Sequence, residues 1–125
     1  MEQLGPNLEM LLSRKKENRK FTIVTVTLLA IQMIERLEHL HDRVYLIHRD
    51  LKPENFLMGL KNANIVHLVD FGLSRHYVEL NTLKHIAATP TNSFFGTKRY
   101  CSRNAHNGLV QSRSCLLYTS PSPRD

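Results

Sequence analysis

Two cysteines in 125 residues, Cys101 and Cys115, make neither a metal-ligand spacing nor a disulfide framework, which excludes the small stapled domains. Long apolar runs are missing too. The richest window, FTIVTVTLLAIQMI (21–34), is interrupted by Thr22, Thr25, Thr27 and Gln32. It falls short of the ~18 apolar residues of a membrane span and reads as a buried helix. The start, MEQLGPNLEMLL, has no basic stretch leading into an apolar one, so no secretory signal argues for an oxidising compartment. The reducing interior of a cell, cytoplasm or nucleus, is the expected location. Internal repeats are absent, and the length allows one domain with a modest core.

Acidic residues are in the minority, 11 against 17 Lys and Arg, for a net charge of +6. The basic residues gather in SRKKENRK (13–20) and around Lys98, Arg99 and Arg103. A basic surface attracts nucleic acid, membranes or acidic substrates alike. Aromatic residues, 7% of the chain, are not interleaved with these clusters and no nucleic-acid motif is present, so nucleic acid is not expected as a partner. The first cluster reads as a solvated loop. His39 and His41 are two apart and point away from each other on a helix, which argues against a metal pair.

Asn7 is a plausible helix cap before the apolar stripe of LEMLL, and Thr22 caps a longer helix expected over residues 22–41. In that helix Val26, Leu29, Ala30, Met33, Leu37 and Leu40 recur at steps of three or four and form the expected buried face. Gln32, Glu35, Arg36 and His39 form the expected wet one. YLI (45–47), FLM (56–58) and IVHLV (65–69) are short apolar runs, the last two joined by the turn-rich GLKNAN and expected to pair as a hairpin. From Leu73 to Ser112 no period holds for long, and such a stretch is normally either functional or disordered.

Chemistry concentrates at HRDLKPENFLMG, residues 48–59. The pattern H-R-D-L-x-x-x-N is met by His48, Arg49, Asp50, Leu51 and Asn55, and D-F-G by Asp70, Phe71 and Gly72. Asp50 alone would pass for a turn former and D-F-G alone would mean little; the ordered combination points to phosphoryl transfer. That reaction needs an acceptor hydroxyl in line with a phosphate, and metal ions that neutralise the phosphate oxygens. Asp50 is the candidate base and Lys52 the candidate cation for the γ-phosphate. Asn55 and Asp70 offer the hard oxygen ligands that Mg²⁺ prefers, brought together by the intervening hairpin.

With NFLMG after this loop, LGPNLEMLL near the start and FFGTKRYCSRNAH further on, residues 1–112 resemble the protein kinases of the casein kinase I family, including its tau-tubulin kinase relatives. Gly96, Thr97, Arg99, Tyr100, Ser102, Asn104 and His106 match the family's G-T-x-R-Y-x-S-x-N-x-H. The resemblance implies an α+β partial kinase fold: a hinge and a mainly helical C-lobe as far as the activation segment, with a small β-hairpin. It implies a serine/threonine kinase using ATP and Mg²⁺ on protein substrates that are acidic or already phosphorylated near the target.

By the same resemblance Met1 stands at the gatekeeper position, Glu2 and Leu4 present backbone groups to adenine, Leu57 floors the base and Val69 precedes the metal-binding aspartate. Thr97 is implied to hydrogen-bond Asp50 and Lys52, and Arg99 to belong to a pocket for a substrate phosphate or carboxylate. Departures are Met10, where the family has an acidic ribose contact, and Asn92, where it has a second basic residue of the anion pocket. Phe94 and Phe95 replace smaller or polar residues and are expected to fill space beside that pocket.

The family's glycine-rich loop, strand lysine and helix glutamate have no counterpart in these 125 residues, and a long helix expected after QSR is replaced by SCLLYTSPSPRD. Residues 1–112 are therefore expected to be a partial kinase domain and 113–125 an unrelated tail, either disordered or artefactual. The isolated fragment is expected to be inactive. The rival reading is a non-catalytic truncated kinase or pseudokinase acting as a binding module.

Overall fold

The computed structural model describes residues 3–14, 20–87 and 89–113. They divide into two compact units, one of the described residues within Met1–His39 and Lys52–Asp70, the other of those within Leu40–Leu51 and Phe71–Asp125. Helices and antiparallel strands together give a small α+β architecture.

The first unit is built on a three-stranded antiparallel sheet. Strand β1 (Leu4–Asn7) lies beside β3 (Phe56–Gly59), and β3 beside β4 (Val66–Leu68). The β3–β4 pair is the hairpin expected from FLM and IVHLV, with Phe56 opposite Leu68 and Met58 opposite Val66. Gly59 begins its turn. A Cβ there would stand 2.4 Å from the Asn62 carbonyl oxygen, a contact only glycine avoids. Phe56 and Val66 are almost wholly buried and supply the sheet's apolar face.

Helix α1 (Leu8–Arg14) opens as its sequence suggests, the Asn7 carboxamide oxygen accepting the Met10 N–H at 2.8 Å. Helix α2 (Ile23–Asp42) is capped in the same way by Thr22, whose hydroxyl accepts the Thr25 N–H at 3.2 Å.

The buried face of α2 differs from the one its apolar periodicity suggests. Leu29 and Met33 are half-buried and Leu37 and Leu40 buried, as expected, but Val26 and Ala30 are exposed. Gln32 and Arg36, expected in water, are half-buried instead. Gln32 accepts the Val66 N–H at 2.9 Å and donates to the Asn64 carbonyl at 2.8 Å, while Arg36 Nε donates to the Val66 carbonyl at 3.0 Å. β4 is an edge strand, and its backbone groups need partners on the side that carries no further strand. Two long polar side chains with apolar stems meet that need better than Val26 or Ala30 would. The opposite side of α2 leaves Ile23, Val24, Leu28, Ile31 and Ile34 exposed.

In the second unit β2 (Leu46–Ile47) pairs antiparallel with β5 (Arg75–His76). Ile47, Tyr77 and Val78 form a buried cluster with Tyr45 against it, and the Tyr77 hydroxyl donates to the His41 carbonyl at 2.6 Å. The irregular stretch after Leu73 is pinned at intervals. Val78 bridges to His85, and Pro90 to Leu109. Thr91 N–H and Val110 N–H donate to the Gly108 and Thr89 carbonyls respectively. A last short helix, α3 (Arg103–His106), is capped by Ser102. Arg113, the first residue of the expected tail, lies 3.4 Å from an Asp42 oxygen and 4.6 Å from the Tyr77 ring centre. The rest of that tail lies outside the described residues.

Candidate active site

The loop after β2 carries its chemistry on a left-handed residue. Arg49 has φ +68°, a region that costs a non-glycine side chain about 1–2 kcal/mol and persists only where surroundings hold it. On one side His48 is wholly buried, its Nδ1 accepting the Asp50 N–H at 3.3 Å and its ring standing edge-on to Phe71 at 5.3 Å. The histidine of one motif and the phenylalanine of the other thus pack together. On the other side the Arg49 Nε donates to the Leu73 carbonyl and its guanidinium lies over the Phe95 ring, 4.2 Å from the centre. Burial, and then the nearby Arg75 charge, lower the Arg49 pKa from its usual high value.

Asp50, nearly buried, receives both donors of Thr97 on one oxygen: the backbone N–H at 2.8 Å and the hydroxyl at 2.7 Å. Charge-assisted bonds of this kind hold a carboxylate in one orientation. Thr97 is brought there by Gly96, whose φ is +101° and where a Cβ would lie 2.4 Å from the Arg49 carbonyl oxygen. Cys101, which lines a cavity together with Asp50 and Thr97, has its thiol pKa raised by burial and, secondarily, by the Asp50 charge.

The metal-ligand candidates belong to the first unit. Lys52, in extended conformation, leads into a single 3₁₀ turn (Pro53–Asn55) that delivers Asn55, buried, to the start of β3. Hairpin register then sets Asn55 beside Val69, whose N–H donates to the Asn55 carbonyl at 3.0 Å, and Asp70 follows directly. Asp70 too is left-handed, at φ +65°. No group of three or more His, Cys, Asp or Glu able to cage a metal occurs among the described residues. One carboxylate and one carboxamide suit Mg²⁺, which keeps several waters and completes its shell with substrate phosphates.

Leu4, Leu57 and Val69 fall on or directly beside the three-stranded sheet: Leu4 pairs with Gly59, Leu57 with Asn7, and Val69 directly follows β4. Met1 and Glu2 lie outside the described residues. Arg99 is exposed on a 3₁₀ turn (Lys98–Tyr100), 5.5 Å from the Tyr100 ring centre. Sequence reasoning assigned no part to Arg75, which lines one cavity with Arg49, Thr91, Ser93 and Phe95. It also missed Gln111, whose amide donates to the Phe95 carbonyl at 3.1 Å. Neither belongs to a motif, and no sequence signal marks them.

The family model of the protein kinase domain matches residues 2–108, and the chain belongs to that family. Protein kinases as a class transfer a phosphoryl group to proteins and use ATP with Mg²⁺. No helix among the described residues is long and apolar enough to cross a membrane.

Proposed function

We propose that the chain carries the catalytic loop and activation segment of a serine/threonine kinase of the casein kinase I type. Its substrates would be intracellular proteins with acidic or phosphorylated residues near the target hydroxyl. The observation that carries this reading is the pairing of Asp50 with both donors of Thr97. Asp50 accepts the proton of the attacking hydroxyl, and Thr97 keeps its carboxylate from rotating away. Lys52 offsets charge on the transferred phosphate. Asn55 and Asp70 are the residues that would hold Mg²⁺, which supplies charge neutralisation between the β- and γ-phosphates. Leu4, Leu57 and Val69 are assigned to the adenine side, as are Met1 and Glu2, which lie outside the described residues. Arg99 reads the acidic or phosphorylated residue of the substrate, its planar guanidinium suited to bidentate anion binding. The mainly helical C-lobe and hinge assignments, with the domain at 1–112, belong to the same proposal.

These 125 residues contain no G-x-G-x-x-G to cover the phosphates, so by themselves they are proposed to be inactive. The test measures phosphoryl transfer from ATP to an acidic or pre-phosphorylated peptide. It is made with the 125 residues and with any longer polypeptide that adds a glycine-rich loop and its lysine. Transfer to serine or threonine that Asp50→Asn lowers by about 10²-fold or more supports the reading. Transfer indifferent to that change sinks it, and absence of transfer in every form favours the non-catalytic binding module.

A further inference from the structure

Kinase activation segments are often ordered by a phosphate that pairs with arginine. In this chain the guanidinium of Arg49, the residue before the candidate base Asp50, has an aromatic partner. Arg49 lies 4.2 Å from the centre of the Phe95 ring and donates from Nε to the Leu73 carbonyl, so one side chain ties the segment after D-F-G to the segment before Gly96. Phe95 is itself anchored through its backbone: its carbonyl accepts the Gln111 amide at 3.1 Å and the Cys101 thiol at 3.4 Å. Two residues further on, Thr97 binds Asp50, the neighbour of Arg49 in the chain. Phe95 and Asp50 are thereby linked through Arg49 on one route and through Gly96–Thr97 on the other. Arg49, Arg75 and Phe95 also line one cavity together, so the ring lies on the same wall as two like charges.

We infer that Phe95 is a positioning residue: its ring takes the place of an activating phosphate on Arg49, and so holds the Thr97–Asp50 pair in its bonded arrangement without any modification of the segment. The role in catalysis rests on the kinase reading above; the positioning itself does not. A cation–π contact of this kind is the physical link, and it asks for a planar aromatic face rather than mere apolar volume.

The test uses the whole 125-residue chain, isotope-labelled, at neutral pH in phosphate-free buffer. In the wild type the Arg49 Nε–H resonance is expected to be displaced by the ring current, and the Thr97 amide to be protected from hydrogen exchange. Phe95→Leu should abolish the displacement and lower Thr97 protection about fivefold or more, while Phe95→Tyr, which restores the π face, keeps both. Thr97 protection that is unchanged in Phe95→Leu overturns the inference. So does a wild type in which protection appears only on adding millimolar inorganic phosphate.

Should Phe95→Leu lose exchange protection in the β2–β5 pair as well, Arg49→Gln, which removes the cation that the ring faces, decides. Loss confined to residues 95–101 in that variant supports the inference, and wild-type protection there overturns it. In a polypeptide that transfers phosphate, Phe95→Leu is expected to lower kcat with the peptide KM unchanged; an unaltered kcat counts against the positioning role. Spectroscopic signatures that hold in a chain with no transfer in any form leave the positioning intact and remove the kinase reading. Transfer abolished by Asp50→Asn but untouched by Phe95→Leu does the reverse.

Discussion

Thr97 delivers its backbone N–H and its hydroxyl to the same oxygen of Asp50, at 2.8 and 2.7 Å. The two bonds have different dependence on side chain, and substitution separates them. Thr97→Val keeps the N–H and removes the hydroxyl, a charge-assisted bond. In a polypeptide that transfers phosphate, kcat is expected to fall roughly ten- to hundredfold, with Thr97→Ser close to wild type. Steady-state kinetics on a serine peptide check this; a valine variant as fast as the serine one would mean that the N–H alone orients Asp50.

Gln32 and Arg36 bind the hairpin edge, so their replacement should cost stability although neither is apolar. Gln32→Leu leaves the Val66 N–H and Asn64 carbonyl without the partner they have now, at a cost of about 1–3 kcal/mol. Glu35, exposed on the same helix, is the control: Glu35→Leu should stay within about 0.5 kcal/mol. Urea unfolding of the three proteins gives the comparison directly.

His41 is buried, and its pKa is lowered first by that burial and then by the Arg113 charge, with Asp42 opposing. Its Nε2 has no hydrogen-bond partner among the described residues. In the unfolded chain the imidazole titrates near 6.5, and in the folded chain below that. Between the two values the unfolded chain binds more protons. Stability is therefore whole above the unfolded value and declines as pH drops through the window. His41→Gln, which cannot titrate, should show a smaller fall in urea midpoint between neutral and mildly acidic pH than the wild type. Equal falls would assign the acid sensitivity elsewhere.

Gly96 combines φ +101° with a Cβ position 2.4 Å from the Arg49 carbonyl and 2.9 Å from the Cys101 sulfur. Gly96→Ala adds steric overlap to the ~1–2 kcal/mol of a left-handed non-glycine residue. Destabilisation above that figure is expected, together with faster exchange at the Thr97 amide. Gly108, also left-handed at φ +69° but with its nearest contact at 3.4 Å, should tolerate alanine at about the lower figure alone.

The features legible in the sequence are those set by neighbours along the chain. Asn7 and Thr22 cap the helices that follow them because a cap bonds within three residues. FLM and IVHLV pair because the short turn between them leaves one convenient register, and that register alone puts Asn55 beside Val69 and just ahead of Asp70. The order of His48, Arg49, Asp50, Asn55 and Asp70 already pointed to the protein kinases, the family whose model matches residues 2–108.

Tertiary structure decided what depends on distant partners. Periodicity marked α2 as amphipathic, but unpaired groups on a strand 30 residues away determined that Gln32 and Arg36 turn inward while Val26 and Ala30 face water. Arg49 became left-handed, and Phe95 its partner, only through contacts across more than 20 residues. A sequence states which groups seek burial or a hydrogen bond. Which of the many candidates satisfies each of them is settled when the backbone of another element closes over it.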